Sequence, residues 1–270
     1  EYTAMTGLYP TGFPVPRTYG LCEDPAVIGS KFFVMSMADG RSLWNGALPD
    51  CDPQERREIY NSLIDTMADL HLNDPQEIGL GDYGKPDAYI PRQIARWSKQ
   101  YKASETREIP AMDRLIEWLP EHIPDDDSAS IVHGDFRLDN MIIHPVEPRV
   151  IAVLDWELST LGHPFADLGY YCMQLRMPQN VGNMSGLRGL DLDVLGIPDE
   201  RSSVARYCEK TGVERIENFS FYVAFSFFRL AAIVQQIYYR YHQGQTQDQR
   251  FAGLVVGAEA LFQLAASRRP

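Results

Sequence analysis

The 270-residue sequence predicts an α+β fold, long enough for one large domain or two lobes. Three observations predict it. Short apolar runs bounded by turn residues appear near the start of the chain and again around residues 130 and 150, where strands are expected. Apolar residues at helical spacing fill most of the remainder. Hydrophobic residues make up 44% of the chain, enough to fill a large core.

The elements follow in order. Phe13-Pro14-Val15-Pro16 reads as an extended linker, because each proline biases its predecessor away from helix. Residues 17–22 and 31–37 are apolar and short enough for two strands around a turn, and Asp39-Gly40 ends the run. A helix then starts at Asp52, with Pro53 at its first position and Glu55 completing a capping box. Ile59, Leu63, Met67 and Leu70 carry it forward to a stop at Asn73-Asp74-Pro75. Further helices are expected at 89–102 and 111–121, followed by the polar loop Asp125-Asp126-Asp127.

Two strands, 130–132 and 150–154, bracket the next loop. A turn at Gly162-His163-Pro164 leads into a helix through Leu168 and Tyr171. Residues 177–193 look irregular and glycine-rich. Helices at 199–210 and 219–241 close at Gly212 and Gly244, and Thr246 with Gln249 caps a last helix. Gly253 and Gly257 on that helix suggest close helix contact.

Composition excludes several classes. A net charge of −12 argues against a nucleic-acid partner, which calls for a basic face. Cys22, Cys51, Cys172 and Cys208 form no C-x-x-C pair, so reduced thiols of a cytoplasmic protein are expected rather than a zinc site. His71, His122, His144 and His242 have no ligand partner at metal spacing and read as packed or solvated side chains. The apolar stretch 219–239 contains Arg229, Gln235 and Gln236, so a buried helix is expected and no membrane partner. The sequence opens on Glu1 rather than Met, so a targeting signal is not excluded.

The chemistry concentrates in His133-Gly134-Asp135-Phe136-Arg137-Leu138-Asp139-Asn140 and in Asp155, fifteen residues beyond Asn140. Phosphoryl transfer needs this set: one carboxylate facing the attacking hydroxyl, and an amide and a second carboxylate holding a metal on the triphosphate. A turn with Asx hydrogen bonds is the competing reading of Asp135 and Asn140. Asp155 weighs against it, because a carboxylate closing an apolar strand is otherwise expensive.

These residues, with Asp155-Trp156-Glu157, resemble the aminoglycoside phosphotransferase group of the protein-kinase-like superfamily. The string from Val150 to Pro164 resembles more narrowly the kinase-like domain of acyl-CoA dehydrogenase fusion proteins and their stand-alone bacterial relatives. The likeness extends from Glu1 to about Leu264. It implies a bilobal fold with ATP between the lobes: residues 1–38 the remainder of an N-lobe and hinge, 39–270 a C-lobe with a helical substrate region.

By the same resemblance Asp135 is the catalytic base, and Asn140 and Asp155 are ligands of Mg2+. The carbonyl of Ser36 and the N–H of Ala38 would meet adenine. Glu1 falls where the family has a helix glutamate paired with a phosphate-binding lysine, so that lysine and the glycine-rich loop are expected upstream. His133 is expected to brace the loop, and Asp167 either supports it or is an ordinary helix N-terminal charge. Arg137 lies near the transferring phosphate or on the surface, and Glu157 touches a second metal or forms a salt bridge. Trp156-Glu157 replaces the Phe-Gly of protein kinases, which argues against a flipping switch.

Only about a dozen residues separate Asp155 from Asp167, too few for a peptide groove, so a small-molecule hydroxyl acceptor is expected. A hydroxyacyl-CoA leads, which would want arginines such as Arg176, Arg188, Arg229 or Arg240. An aminoglycoside is the alternative and would want clustered carboxylates. A catalytically inactive nucleotide-binding module is the third reading.

Overall fold

The computed structural model describes residues 1–179 and 186–245. The expected last helix, with Thr246, Gln249, Gly253 and Gly257, lies outside the described residues.

Helix α1 (Tyr2–Leu8) buries Ala4, Met5 and Leu8. Strands β1 (Thr18–Cys22) and β2 (Phe32–Met35) pair antiparallel, Thr18 opposite Met35 and Cys22 opposite Phe32. The second strand is shorter than its apolar run. After Met35 only Ser36 still binds Arg17, its N–H donating to the Arg17 carbonyl at 2.8 Å, and Met37 points into solvent.

A three-stranded antiparallel sheet joins β3 (Arg41–Ser42), β5 (Met141–Ile143) and β6 (Val150–Val153) in that order. Strand β4 (Ser130–Val132) pairs with β7 (Thr160–Gly162). The two strands expected around the catalytic motif therefore do not pair with each other. Each takes a three-residue partner too short to show alternation, and Gly162, read as a turn, ends β7.

Helix α2 (Pro53–Leu72) starts as expected, with Asp52 accepting the N–H groups of Gln54 at 2.8 Å and Glu55 at 2.9 Å. The capping box does not close. Glu55 instead accepts from the Arg41 guanidinium at 2.7 Å, where an ion pair outbids a neutral amide. Helices α3 (Tyr89–Ser104) and α4 (Pro110–Glu121) follow.

Past β7 come α5 (Phe165–Arg176), the one-turn α6 (Leu192–Leu195) across the end of the stretch read as irregular, α7 (Glu200–Thr211) and α8 (Phe219–His242). Asp191 caps α6 by accepting the Val194 N–H at 3.1 Å. Arg206 forks onto Asp65 at 2.6 Å and Lys210 reaches Asp69 at 2.7 Å, stitching α7 to α2.

Helix α8 is the one described helix long and apolar enough to cross a membrane, and it is instead the axis of the core. It packs along α5 and α3. Gly169 permits the closest approach, since a Cβ there would lie 2.7 Å from the Tyr222 backbone. Two glutamines of α8 bind α3. Gln235 donates to the Ser104 carbonyl at the end of α3 at 2.7 Å, and Gln236 to Gln100 at 2.8 Å.

Candidate active site

Strand β4 delivers His133 to the start of the loop, and α5 fixes it from below. Asp167, 1% exposed, accepts the backbone N–H of His133 at 2.6 Å and of Gly134 at 2.8 Å. His71 stands 3.4 Å from the same carboxylate and shares a 2.7 Å hydrogen bond with the Tyr207 hydroxyl. Burial acts to raise the Asp167 pKa, but His71, the field of His133 and the Gly134 N–H outweigh it and hold the carboxyl below its ordinary range. Asp167 thus does more than decorate a helix N-terminus. Gly134 turns at φ +86°, where a Cβ would meet the Leu158 carbonyl at 2.7 Å.

His133 is the brace expected of it. Its Nδ1 accepts the Asp135 N–H at 3.2 Å, so Nε2 carries the proton and donates to the Leu154 carbonyl at 2.8 Å. The ring lies against Phe136 and Trp156. Trp156 is buried and donates from its indole to the Val153 carbonyl at 2.9 Å.

Asn140 and Asp135 are brought together. The amide nitrogen of Asn140 donates to the Asp135 carbonyl at 2.9 Å and to its carboxylate at 3.0 Å. Its amide oxygen has no protein partner among the described residues. The Asn140 carbonyl accepts the Leu154 N–H at 2.9 Å, which ties the motif to the residue before Asp155. Asp155 is exposed, without an ion pair among the described residues, and adopts the left-handed conformation at φ 64° and ψ 60°. Such backbone strain in a non-glycine residue gathers at functional positions.

Arg137 forks onto Asp139 within the loop. Burial works against its charge, yet Asp139 and the nearby Asp135 carboxylate hold it more firmly protonated than a free guanidinium. Tyr170 on α5, one helical turn beyond Asp167, was missed in the sequence reading. Burial pushes its hydroxyl pKa up, and so does Asp135, to which it hydrogen-bonds. Its spacing from Asp167 was the available signal. Arg229 was expected near a ligand phosphate. It is 5% exposed, donates to the Gly134 carbonyl and lies over the Tyr170 ring at 5.4 Å.

Beside the loop opens a cavity of about 240 Å³ lined by Trp44, Arg137, Tyr170, Met173, Met177 and Leu230 among others. Arg176 is forked onto Glu200 and so is not available to a phosphate, while Arg188 and Arg240 are exposed. Glu157 is exposed with no salt bridge among the described residues. Ser36 and Ala38 continue from the end of β2, and neither the Ser36 carbonyl nor the Ala38 N–H has a protein partner among the described residues. Glu1 caps α1 through its carbonyl, and its carboxylate acts on Tyr83, which hydrogen-bonds Ser159. No group of three or more His, Cys, Asp or Glu suited to a metal occurs among the described residues.

Three small antiparallel sheets in a largely helical chain, with this loop running from β4 to β5, define a protein-kinase-like phosphotransferase fold. The chain belongs to the phosphotransferase enzyme family, whose sequence pattern matches residues 1–187. It is 45% identical over 248 residues to mouse acyl-CoA dehydrogenase family member 10, covering 92% of this chain and 23% of that protein. Against human acyl-CoA dehydrogenase family member 11 the identity is 40% over 251 residues, with 92% and 32% covered. The chain thus spans less than a third of the length of these curated relatives. A crystal structure of a Ralstonia eutropha protein, a candidate aminoglycoside phosphotransferase, superposes with a TM-score of 0.92 at 48% identity, covering 100% of this chain and 83% of that one. A choline kinase from Cryptosporidium parvum shares the fold at a TM-score of 0.61 and 12% identity, over 96% of this chain and 77% of that one.

Proposed function

We propose that this protein transfers the γ-phosphate of ATP to a hydroxyl of a small molecule. The observation that carries the reading is the Asn140 amide bound to the Asp135 carboxylate, with Asn140 also bonded to the backbone beside Asp155. Asp135 receives the acceptor's proton, and Tyr170 holds that carboxylate in place. Asn140, through its amide oxygen, and Asp155 are hard oxygen donors suited to magnesium. Two protein ligands are enough for that ion, because substrate phosphates and water complete its shell. A bound magnesium ion supplies neutralisation of phosphate charge. Adenine is assigned to the Ser36 carbonyl and the Ala38 N–H, with Glu1 on the nucleotide side. Residues 1–38 then act as upper lobe and hinge, and the rest as the lower lobe.

A hydroxyacyl-CoA is the acceptor we favour. In the cavity beside Arg137, apolar Met173, Met177 and Leu230 suit an acyl chain, and Asp139, the one carboxylate lining it among the described residues, is spent on Arg137. A polycationic sugar would find little to hold it there. The dehydrogenase names of the mouse and human relatives support the same choice, and the name of the Ralstonia protein supports an aminoglycoside. Intact Asp135, Asn140 and Asp155 weigh against an inactive nucleotide-binding module. Release of ADP from the full-length protein, measured with hydroxyacyl-CoA esters, aminoglycosides and simple alcohols, decides among them. The acceptor reading requires turnover with the thioesters. Efficient phosphorylation of aminoglycosides with no thioester turned over rejects it.

A further inference from the structure

We propose that a second, smaller cavity, under residues 157–160, binds a single carboxylate or phosphate group and is coupled to the catalytic loop through Arg229. The cavity is about 190 Å³, below the roughly 300–1,000 Å³ of sites for drug-sized ligands, so it suits one oxyanion and not a nucleotide. Arg229 of α8 meets Tyr89, Gln93 and Arg96 of α3 there, opposite Glu157 and Thr160.

Arg229 sets the chemistry. One of its amino groups donates to the Gly134 carbonyl and its plane covers Tyr170, but its Nε has no hydrogen-bond partner. No carboxylate among the described residues lies within ion-pair distance of it. A buried guanidinium with no paired carboxylate is costly, and an anion set against it in the cavity removes that cost. Arg96 adds a second positive charge from the rim, its guanidinium resting on the Trp97 ring at 5.2 Å. Gln93 gives its amide oxygen to the Trp97 indole at 3.0 Å, which leaves its NH2 group as a donor. The one acid of the cavity, Glu157, is exposed and pairs with neither arginine. Two guanidiniums against one carboxylate leave a net positive site.

The coupling is direct. The guanidinium that would receive the anion also holds the carbonyl of Gly134, the residue before Asp135. Occupancy therefore acts on the backbone bond that stands immediately before the base.

Calorimetric titration of the full-length protein with inorganic phosphate, and with acetate, tests the site without any turnover, so its outcome is separate from that of the phosphotransferase reading. Wild type should bind both anions. Arg96→Gln, at an exposed position, should fold normally and bind phosphate about tenfold more weakly, as expected for loss of a charge-assisted contact. Arg229→Lys keeps the charge but reaches fewer partners, and should lose binding as well. Asp135→Asn should bind phosphate like wild type. The proposal is overturned if wild type takes neither anion, or if both arginine variants bind as wild type does. A short hydroxycarboxylate that displaces bound phosphate assigns the site to the acceptor's own anionic group. Failure to displace it assigns the site to a free anion, and either result upholds it.

Discussion

The imidazole of His133 and the carbonyl of Leu154, 2.8 Å apart, join the loop that carries Asp135 to the strand that delivers Asp155. Residues 21 positions apart in sequence are thereby held in one geometry by a single proton on Nε2. Three further bonds reinforce it: Leu154 N–H to Asn140, Asn140 to Asp135, and Asp135 N–H back to the ring. The constellation is therefore rigid before any substrate arrives, which suits a reaction that depends on positioning.

Asp135→Asn removes the proton acceptor and keeps the size of the side chain. The kcat should fall by about 10²- to 10⁴-fold, the usual range for a general base. Nucleotide affinity should stay within about twofold, because other groups hold the nucleotide. Steady-state ADP release together with nucleotide titration checks both halves.

Asp155→Ala should weaken nucleotide binding far more with magnesium present than without it, since the carboxylate is assigned to the metal. Paired titrations in magnesium and in a chelator measure the difference. Equal losses under the two conditions contradict the assignment.

Tyr170→Phe deletes a hydroxyl that hydrogen-bonds Asp135 from the middle of α5. A lost hydrogen bond to a charged group suggests a fall of about tenfold in kcat, with KM for ATP unchanged. A merely structural tyrosine would lower thermal stability and leave that ratio alone.

Asp167→Asn breaks the most buried carboxylate contact of the site. An amide can offer only one oxygen to the two N–H groups that Asp167 serves, so a loss of about 3–5 kcal/mol is expected in chemical unfolding. The pH dependence follows from the lowered pKa. A carboxylate held below its unfolded value of about 3.9 contributes its full stability above that pH and loses it as the pH falls through the folded value. Wild type should lose more stability than Asp167→Asn on acidification below about pH 4, and the two curves should run parallel at neutral pH.

Much of the fold was legible because its signals are local. The Asp52-Pro53 start of α2 and the glycine stop of α7 appear where turn chemistry places them. What stayed hidden was non-local. Strands β3, β5 and β7 are two or three residues long, and only their partners make them strands. Glu55 forgoes its capping box for Arg41, fourteen residues away. Within the site, the spacing of Asp135, Asn140 and Asp155 marked the motif. The Arg229 contact with Gly134 bridges 95 residues, and no periodicity announces it.

The two backbone N–H groups held by Asp167 have a further consequence. Loops that carry active groups usually open at little cost, and their amides exchange with solvent quickly. Here the amides of His133 and Gly134 end on a buried carboxylate that is packed into α5, the helix lying along the core axis α8. They can exchange only when that core opens, so their protection should match that of the α8 interior. The loop then belongs to the cooperative unit that unfolds last, and on heating, activity and native structure should fail at the same temperature.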